Sequence, residues 1–397
     1  MDGLGGLISL LPLEMRRYGF IFILLLIALG GGFYLFGRRD PPLETKFVQP
    51  ETPLASDGFE GQVEEEPFDA AQGNKEKVAV ILRQPGEYFL LDSSRQVYQT
   101  FNNCGPATLS MNLSWYGIDV SQKELGEKMR PYQNPKGDND DKTIFTHEFA
   151  TWAENYGLNA ISRVNGSIEL LKLFVANDIP VVVKTWLRPN EDIGHFRIVR
   201  GFDEGRQVVI QDDSYHGPNK KISYYDFLSM WQPFNYAYIV VYPAEKEALV
   251  FAILGEERDE AVAWDRALER AKKEADLDPE NIYPLFNQSA SYYQLGEYEE
   301  SVATFEQVED RLPRRMLWYQ IEPILAYQKL GRFDRVFAIA DTLLNGGNRA
   351  FSELYQIRGE VFLEQGDREK AREQFELALA YNEHFEPAKV AIAGLTE

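Results

Sequence analysis

Three phrases near the C-terminus, QLGEYEESV (294–302), KLGRFDRVF (329–337) and EQGDREKAR (364–372), set Gly296, Gly331 and Gly366 at an even spacing of 35 residues. No other feature limits the fold so strongly. A fixed period in this range belongs to a solenoid of helical hairpins, because one hairpin cannot bury its apolar face alone and must stack on the next. Each glycine stands between two helical patterns, where a helix can end in the left-handed conformation without a Cβ penalty. RALERAKKEADLDPEN (266–281) reads as the closing helix and exit of a preceding half-unit, so the array fills most of 258–396. A solenoid has no single core, and the remainder of the 397 residues needs a fold of its own.

The units resemble tetratricopeptide repeats. The last matches best, with Gly359, Phe362, Gly366, Ala371, Phe375 and Ala378 where that pattern wants small or aromatic residues. The first keeps Ser289, Ser301, Phe305 and Pro313, while the middle one is degenerate, with Ile324, Val336 and Ala340. The resemblance implies an all-α array over 246–397 whose concave groove recruits a protein partner or substrate.

At the other end, residues 18–36 run without a charge, bracketed by Arg16-Arg17 and Arg38-Arg39, and are long enough for a bilayer core. Tyr18, Phe33 and Tyr34 sit where an aromatic belt would lie. A short segment 1–17, a single transmembrane helix over 18–37 and an acidic, Pro-rich tether over 38–76 are expected. Glu64, Glu65, Glu66 and Asp69 make the tether acidic, which favours a single-pass membrane protein with the bulk of the chain extracytoplasmic. The formal net charge of -21 argues against nucleic acid, which needs a basic footprint.

Residues 77–245 are mixed. KVAVILRQ (77–84), EYFLLDS (87–93), PVVVKTW (180–186), GHFRIVRGF (194–202), QVVIQDD (207–213) and AYIVVYP (237–243) read as strands. NCGPATLSMNLSWYG (103–117), SQKELGEKMR (121–130), SIELLKLFVAN (167–177) and SYYDFLSMW (223–231) read as helices, the second with Ser121 as N-cap. Helices early and strands late suggest an α+β domain.

Cys104, the chain's one cysteine, opens a helix in YQTFNNCGPATLSMNLSWYG, with Ala107, Leu109, Met111 and Leu113 expected as its apolar face. Unpaired N–H groups and the positive end of the helix dipole favour a thiolate there. Gly105 and Pro106 suit the first turn, the glycine letting substrate approach the backbone. Gln99, five residues earlier, offers an amide that could stabilise an oxyanion beside the Cys104 N–H.

This stretch resembles the C39-like branch of papain-fold cysteine peptidases, marked by a glutamine, a short spacer and CGPA opening a helix. The resemblance implies a Cys-His-Asp mechanism, with a histidine at a strand start and an aspartate one hairpin later. GHFRIVRGFDEGRQVVIQDDSYHG supplies His195 and the pair Asp212-Asp213, the latter where the family has Asp-Pro. A hairpin turning at 203–206 pairs residues whose numbers sum to 409, placing Asp212 opposite Arg197 and on the face of His195. Asp213 would then point away, so Asp212 is the expected orienting carboxylate.

His147, His216 and His384 have no ligand partner at metal spacing, no cofactor is implied, and no GxxxxGK[ST] motif accompanies the domain. Two readings stand: a membrane-anchored cysteine peptidase, or a papain-like domain without activity serving as an interaction scaffold beside the repeats.

Overall fold

Seven strands form one antiparallel sheet in the first half of the described chain. They are β1 (Tyr88–Leu90), β2 (Asn159–Arg163), β3 (Val181–Trp186), β4 (Gly194–Asp203), β5 (Val208–Asp213), β6 (Gly217–Ser223) and β7 (Tyr238–Tyr242), ordered β2-β7-β3-β4-β5-β6, with β1 pairing β4 off this path. The computed structural model describes residues 80–132 and 143–395, all within the compact unit Pro67–Glu397. The expected segments 1–17, 18–37 and 38–76 lie outside the described residues. Among the described residues no helix is long and apolar enough to cross a membrane.

Both faces of the sheet are covered. Val182, Phe196, Ile198, Ile239 and Val241 pack under α1 (Cys104–Trp115), α2 (Gln122–Met129) and α3 (Thr146–Glu154). Val181, Val183, Val199 and Val240 pack under α4 (Ile168–Ala176), α5 (Tyr224–Trp231) and α6 (Glu247–Leu254). Burial on both sides explains the apolar residues 181–183 opening β3, whose six residues are all buried, Lys184 and Thr185 included. Ser121 caps α2 as expected, its hydroxyl accepting from Glu124 N–H at 3.2 Å. α6 departs from the expected boundary at 245: Val250, Ile253 and Leu254 join the sheet-side core, and the repeats begin after it.

The second half is helical: α7 (Glu260–Leu277), α8 (Ile282–Gln294), α9 (Tyr298–Glu306), α10 (Glu322–Lys329), α11 (Phe333–Asn345), α12 (Ser352–Glu364), α13 (Arg368–Tyr381) and α14 (Glu386–Gly394). The three periodic glycines lie just past α8, α10 and α12 with φ of +83°, +65° and +80°, the left-handed geometry that stops a helix. Within a hairpin, small residues let the helices close. A Cβ on Gly359 would come within 2.4 Å of the Phe375 ring, and the Ser289 and Ser301 hydroxyls each donate to the other's carbonyl at 2.7 Å.

The array packs directly on the sheet domain. Trp186 of β3 meets Tyr319 at 5.7 Å between ring centroids, Phe145 meets Phe351 at 6.2 Å and Tyr132 meets Tyr381 at 5.0 Å. The inner helices of the repeats and α3 border a cleft of about 920 Å³ lined by residues that include Trp152, Glu322 and Phe385.

Candidate functional site

Cys104 is the first residue of α1, with Asn103 at the cap position. Asn103 does not bond the helix with its side chain; it donates to Thr100 Oγ1 (2.7 Å) and accepts from Arg130 (2.6 Å). The first-turn N–H groups therefore keep their positive field at the thiol. Residues 105 to 113 of α1 are all buried, so the helix is a central one and not amphipathic as expected. Two of its buried polar residues bond to neighbouring carbonyls, Thr108 donating to that of Phe196 at 3.2 Å and Ser110 to that of Val120 at 2.5 Å, while both polar atoms of the buried Asn112 side chain lack a partner among the described residues. Gly105 packs closely on Ile144, whose Cδ1 would lie 2.7 Å from a Cβ placed there.

His195 opens β4 and is buried at 2% exposure. Its Nε2 lies 3.0 Å from Asp213 Oδ1, which leaves Nδ1 as the ring nitrogen for the Cys104 thiol, its other hydrogen-bond partner. The carboxylate beside the ring is thus Asp213 and not Asp212, and the cause is a bulge. The turn occupies residues 204–207, with Asp203 paired to Val208 and Gly201 to Ile210. That alone would still have put Asp212 on the His195 face. Between Val199 and Gly201 the register shifts, Arg200 being the extra residue, so that Arg197 pairs with Asp213 and Ile198 with Asp212. A one-residue slip exchanges the faces of a strand. Asp212 consequently accepts from Arg200 Nε (2.7 Å) and Asn219 N–H (2.8 Å), away from the ring.

Two neighbours of Asp213 escaped sequence reasoning. Arg197, 1% exposed, donates Nε to Asp213 Oδ2 at 2.9 Å and spends its other nitrogens on Thr185 and the carbonyls of Trp186 and Leu187. Its position two residues beyond His195 on the same strand was the available signal. His216, set aside for want of a metal-ligand partner, places Nδ1 3.2 Å from Asp213 Oδ2, while the Tyr215 and His216 N–H groups donate to Oδ1 at 2.6 and 2.8 Å.

These contacts set the charges. Burial pushes the Asp213 carboxyl up, but the hydrogen bond and charge of His195, the Arg197 guanidinium and the His216 N–H hold it well below the usual carboxylate range. Burial pulls His195 down, and its bonds to Asp213 and Cys104 more than restore it, leaving the imidazole above its ordinary value. Burial pushes the Cys104 thiol up, and the hydrogen bond and charge of His195, with lesser help from the Phe196 backbone and Lys184, bring it below the ordinary thiol value. The pair therefore favours thiolate and imidazolium.

Gln99 is held at the same site by Ser214, just past β5. Its N–H donates to the Ser214 carbonyl at 2.8 Å and its Oε1 accepts from the Ser214 hydroxyl at 2.8 Å, which leaves the amide NH₂ as the end available to a ligand. Gln99, Cys104 and His195 line one cleft of about 450 Å³. Asp212 and Asp213 do not line it. Among the other lining residues are Arg315, Trp318 and Tyr319, which come from the repeat array.

Residues 90–239 match the Peptidase_C39 like family, and residues 284–311 and 352–385 match the tetratricopeptide repeat. The chain thus contains a C39-like domain followed by tetratricopeptide repeats. No curated protein matches it significantly. Among solved structures, the peptidase domain of Streptococcus ComA, a bifunctional ABC transporter of a quorum-sensing pathway, is 19% identical, with 38% of this chain and 99% of that chain covered at a TM-score of 0.30. MamA is 18% identical, covering 36% of this chain and 82% of its own at a TM-score of 0.31. A thermophilic tetratricopeptide-repeat protein of Thermus thermophilus is 22% identical, covering 37% and 76% at a TM-score of 0.27.

Proposed function

We propose that the chain is a cysteine peptidase whose nucleophile is Cys104, whose general acid and base is His195, and whose orienting carboxylate is Asp213. The supporting observation is one contact series: a half-buried thiol at a helix start, a buried imidazole in the same cleft, and a carboxylate 3.0 Å from the ring's far nitrogen. In this mechanism the Cys104 thiolate attacks the peptide carbonyl, and the Cys104 N–H and the Gln99 amide receive the developing oxyanion. His195 passes its proton to the departing amine, then deprotonates the water that releases the acyl group from sulfur. Asp213 fixes the ring and stays ionised throughout.

The repeats are protein-interaction modules, and the 920 Å³ cleft between their inner helices and α3 is the proposed seat of a partner or of a distant part of the substrate. Residues 18–37 are proposed as a single-pass anchor that leaves the enzyme extracytoplasmic. Protease treatment of intact cells tests that: degradation of the 40–397 portion supports it, and protection with degradation only after lysis refutes it.

Catalysis is tested on the folded chain with iodoacetamide and a peptide library. Rapid alkylation near neutral pH, abolished in Cys104→Ala and slowed in His195→Ala, together with library cleavage by the wild type, is expected. A folded wild type that neither alkylates faster than an ordinary thiol nor cleaves any peptide would leave only an interaction scaffold.

A further inference from the structure

We infer that the repeat array builds the specificity wall of the catalytic cleft, with Trp318 and Tyr319 facing Leu187 and Ile193 across a subsite for a bulky apolar side chain of the peptide substrate. This rests on the peptidase reading and names the substrate class of that site.

The array is irregular in one place. Residues 278–281, 346–351 and 382–385 connect successive hairpins elsewhere, but residues 307–321 separate α9 from α10. The glycine period survives because α9 and α10, at nine and eight residues, are shorter than α12 and α13, at 13 and 14. Helical turns have been exchanged for loop within a constant repeat length. The tetratricopeptide match stops at residue 311 and resumes at 352, leaving out residues 312–321 of this connection and the degenerate hairpin after it.

What the long connection does is visible at its end. Met316–Trp318 forms a 3₁₀ turn that delivers Trp318 and Tyr319 to the cleft of Cys104 and His195. Tyr319 lies against the backbone that leads into His195: a Cβ on Gly194 would come within 2.7 Å of its ring. The wall is anchored to the sheet domain. Tyr319 packs on Trp186 and Phe234, each 5.7 Å away, and Arg315 clamps Asp192, two residues before Gly194, at 2.5 Å.

Packing between the two halves would explain buried aromatics, but it does not explain the exposed apolar side chains. Ile193, Tyr215 and Phe101 line the same cleft and are 42%, 52% and 53% exposed. Large apolar groups left in water around a nucleophile form a ready contact for an apolar ligand. The cleft volume of about 450 Å³ admits one large side chain and its backbone.

The test uses the full chain and a peptide series in which each position beside the scissile bond is varied from glycine to leucine, phenylalanine and tryptophan. At one position the wild type should prefer the bulky residue over glycine in kcat/KM, and Trp318→Ala should cut that preference by on the order of tenfold while iodoacetamide labelling of Cys104 stays within about twofold of wild type. Trp318 is only 5% exposed, and its loss could unseat the array. Ile193→Ala, on the opposite and exposed wall, makes the same test without touching the repeats, and Trp318→Phe should fall between wild type and Trp318→Ala. A wild type that cleaves with no bulky preference, or an equal fall across all peptides in both alanine variants, overturns the wall and leaves the peptidase reading intact. A wild type that neither cleaves nor labels overturns both.

Discussion

The two faces of the β4–β5 hairpin carry adjacent aspartates with different employment. On one face Asp213 meets His195, Arg197 and His216 beside the thiol; on the other Asp212 meets Arg200 and Asn219. Both carboxylates are buried, at 0% and 1% exposure, and both pair with a buried arginine. Burial and pairing therefore do not distinguish a site from a structural ion pair. The distinction comes from the bulge at Arg200, which decides which of two identical side chains reaches the imidazole.

Asp213→Asn should break the comparison most severely. The amide keeps the shape but not the charge, so His195 loses the group that raises it and Cys104 loses a fully charged imidazolium. The expected result is a fall in kcat/KM on the order of 10²–10⁴-fold. The acid limb of Cys104 alkylation should move to higher pH, because the thiol pKa rises when its cationic partner weakens. Removing one member of a buried pair also leaves Arg197 uncompensated, at a cost of about 3–5 kcal/mol read by urea titration. The sign of the pH dependence follows: a depressed carboxyl contributes stability above the ordinary Asp value of about 4 that is lost as pH falls below it, so acid sensitivity in that window should diminish in the variant. Unchanged alkylation in a folded Asp213→Asn would remove Asp213 from the mechanism.

Arg197→Met should come next. The guanidinium holds His195 down while lowering Asp213, so without it the imidazolium persists to higher pH and the alkaline limb of the kcat profile moves upward. Stability should fall by about 3–5 kcal/mol, since Asp213 then lacks its arginine partner. A downward shift of that limb would show that Arg197 acts otherwise than by its charge.

Much of this was legible in the sequence. The glycine period foretold the hairpin array, and CGPA placed Cys104 on a helix start. Six expected strands yielded five, the run 77–84 being irregular where it is described. The unexpected strands, β2 and β6, are the two ends of the sheet path. They lack the two-sided burial that writes a continuous apolar run: in β6, GPNKKIS, residues 218–221 are exposed. The hairpin arithmetic failed for a narrower reason. Moving the turn from 203–206 to 204–207 preserves the parity of the register, so that error was harmless; the bulge at Arg200 changes parity and could not be read from a strand pattern of period two. The wall from the repeats was hidden differently, because an exchange of helix for loop inside a constant 35-residue unit leaves the glycine spacing untouched.

His216→Ala removes a partner that is 32% exposed at the side chain. Asp213 keeps His195, Arg197 and two backbone N–H groups, so the change in alkylation rate should stay within about threefold and the stability loss within about 1 kcal/mol.

Asp212→Asn has the smallest expected effect on Cys104 and sharpens the comparison most. Arg200 is 3% exposed and would lose its carboxylate, retaining the Leu91 carbonyl and Asn219. Stability should drop by about 3–5 kcal/mol, as in Asp213→Asn. Yet the amide faces away from the ring, and in the folded protein the rate and pH profile of alkylation should match the wild type. Two neighbouring variants of equal chemistry and similar stability loss would then differ in thiol reactivity, one with the acid limb of alkylation moved to higher pH and the other unchanged. If instead both slow alkylation alike, the exchange of faces at Arg200 does not govern the site, and loss of folded structure explains both.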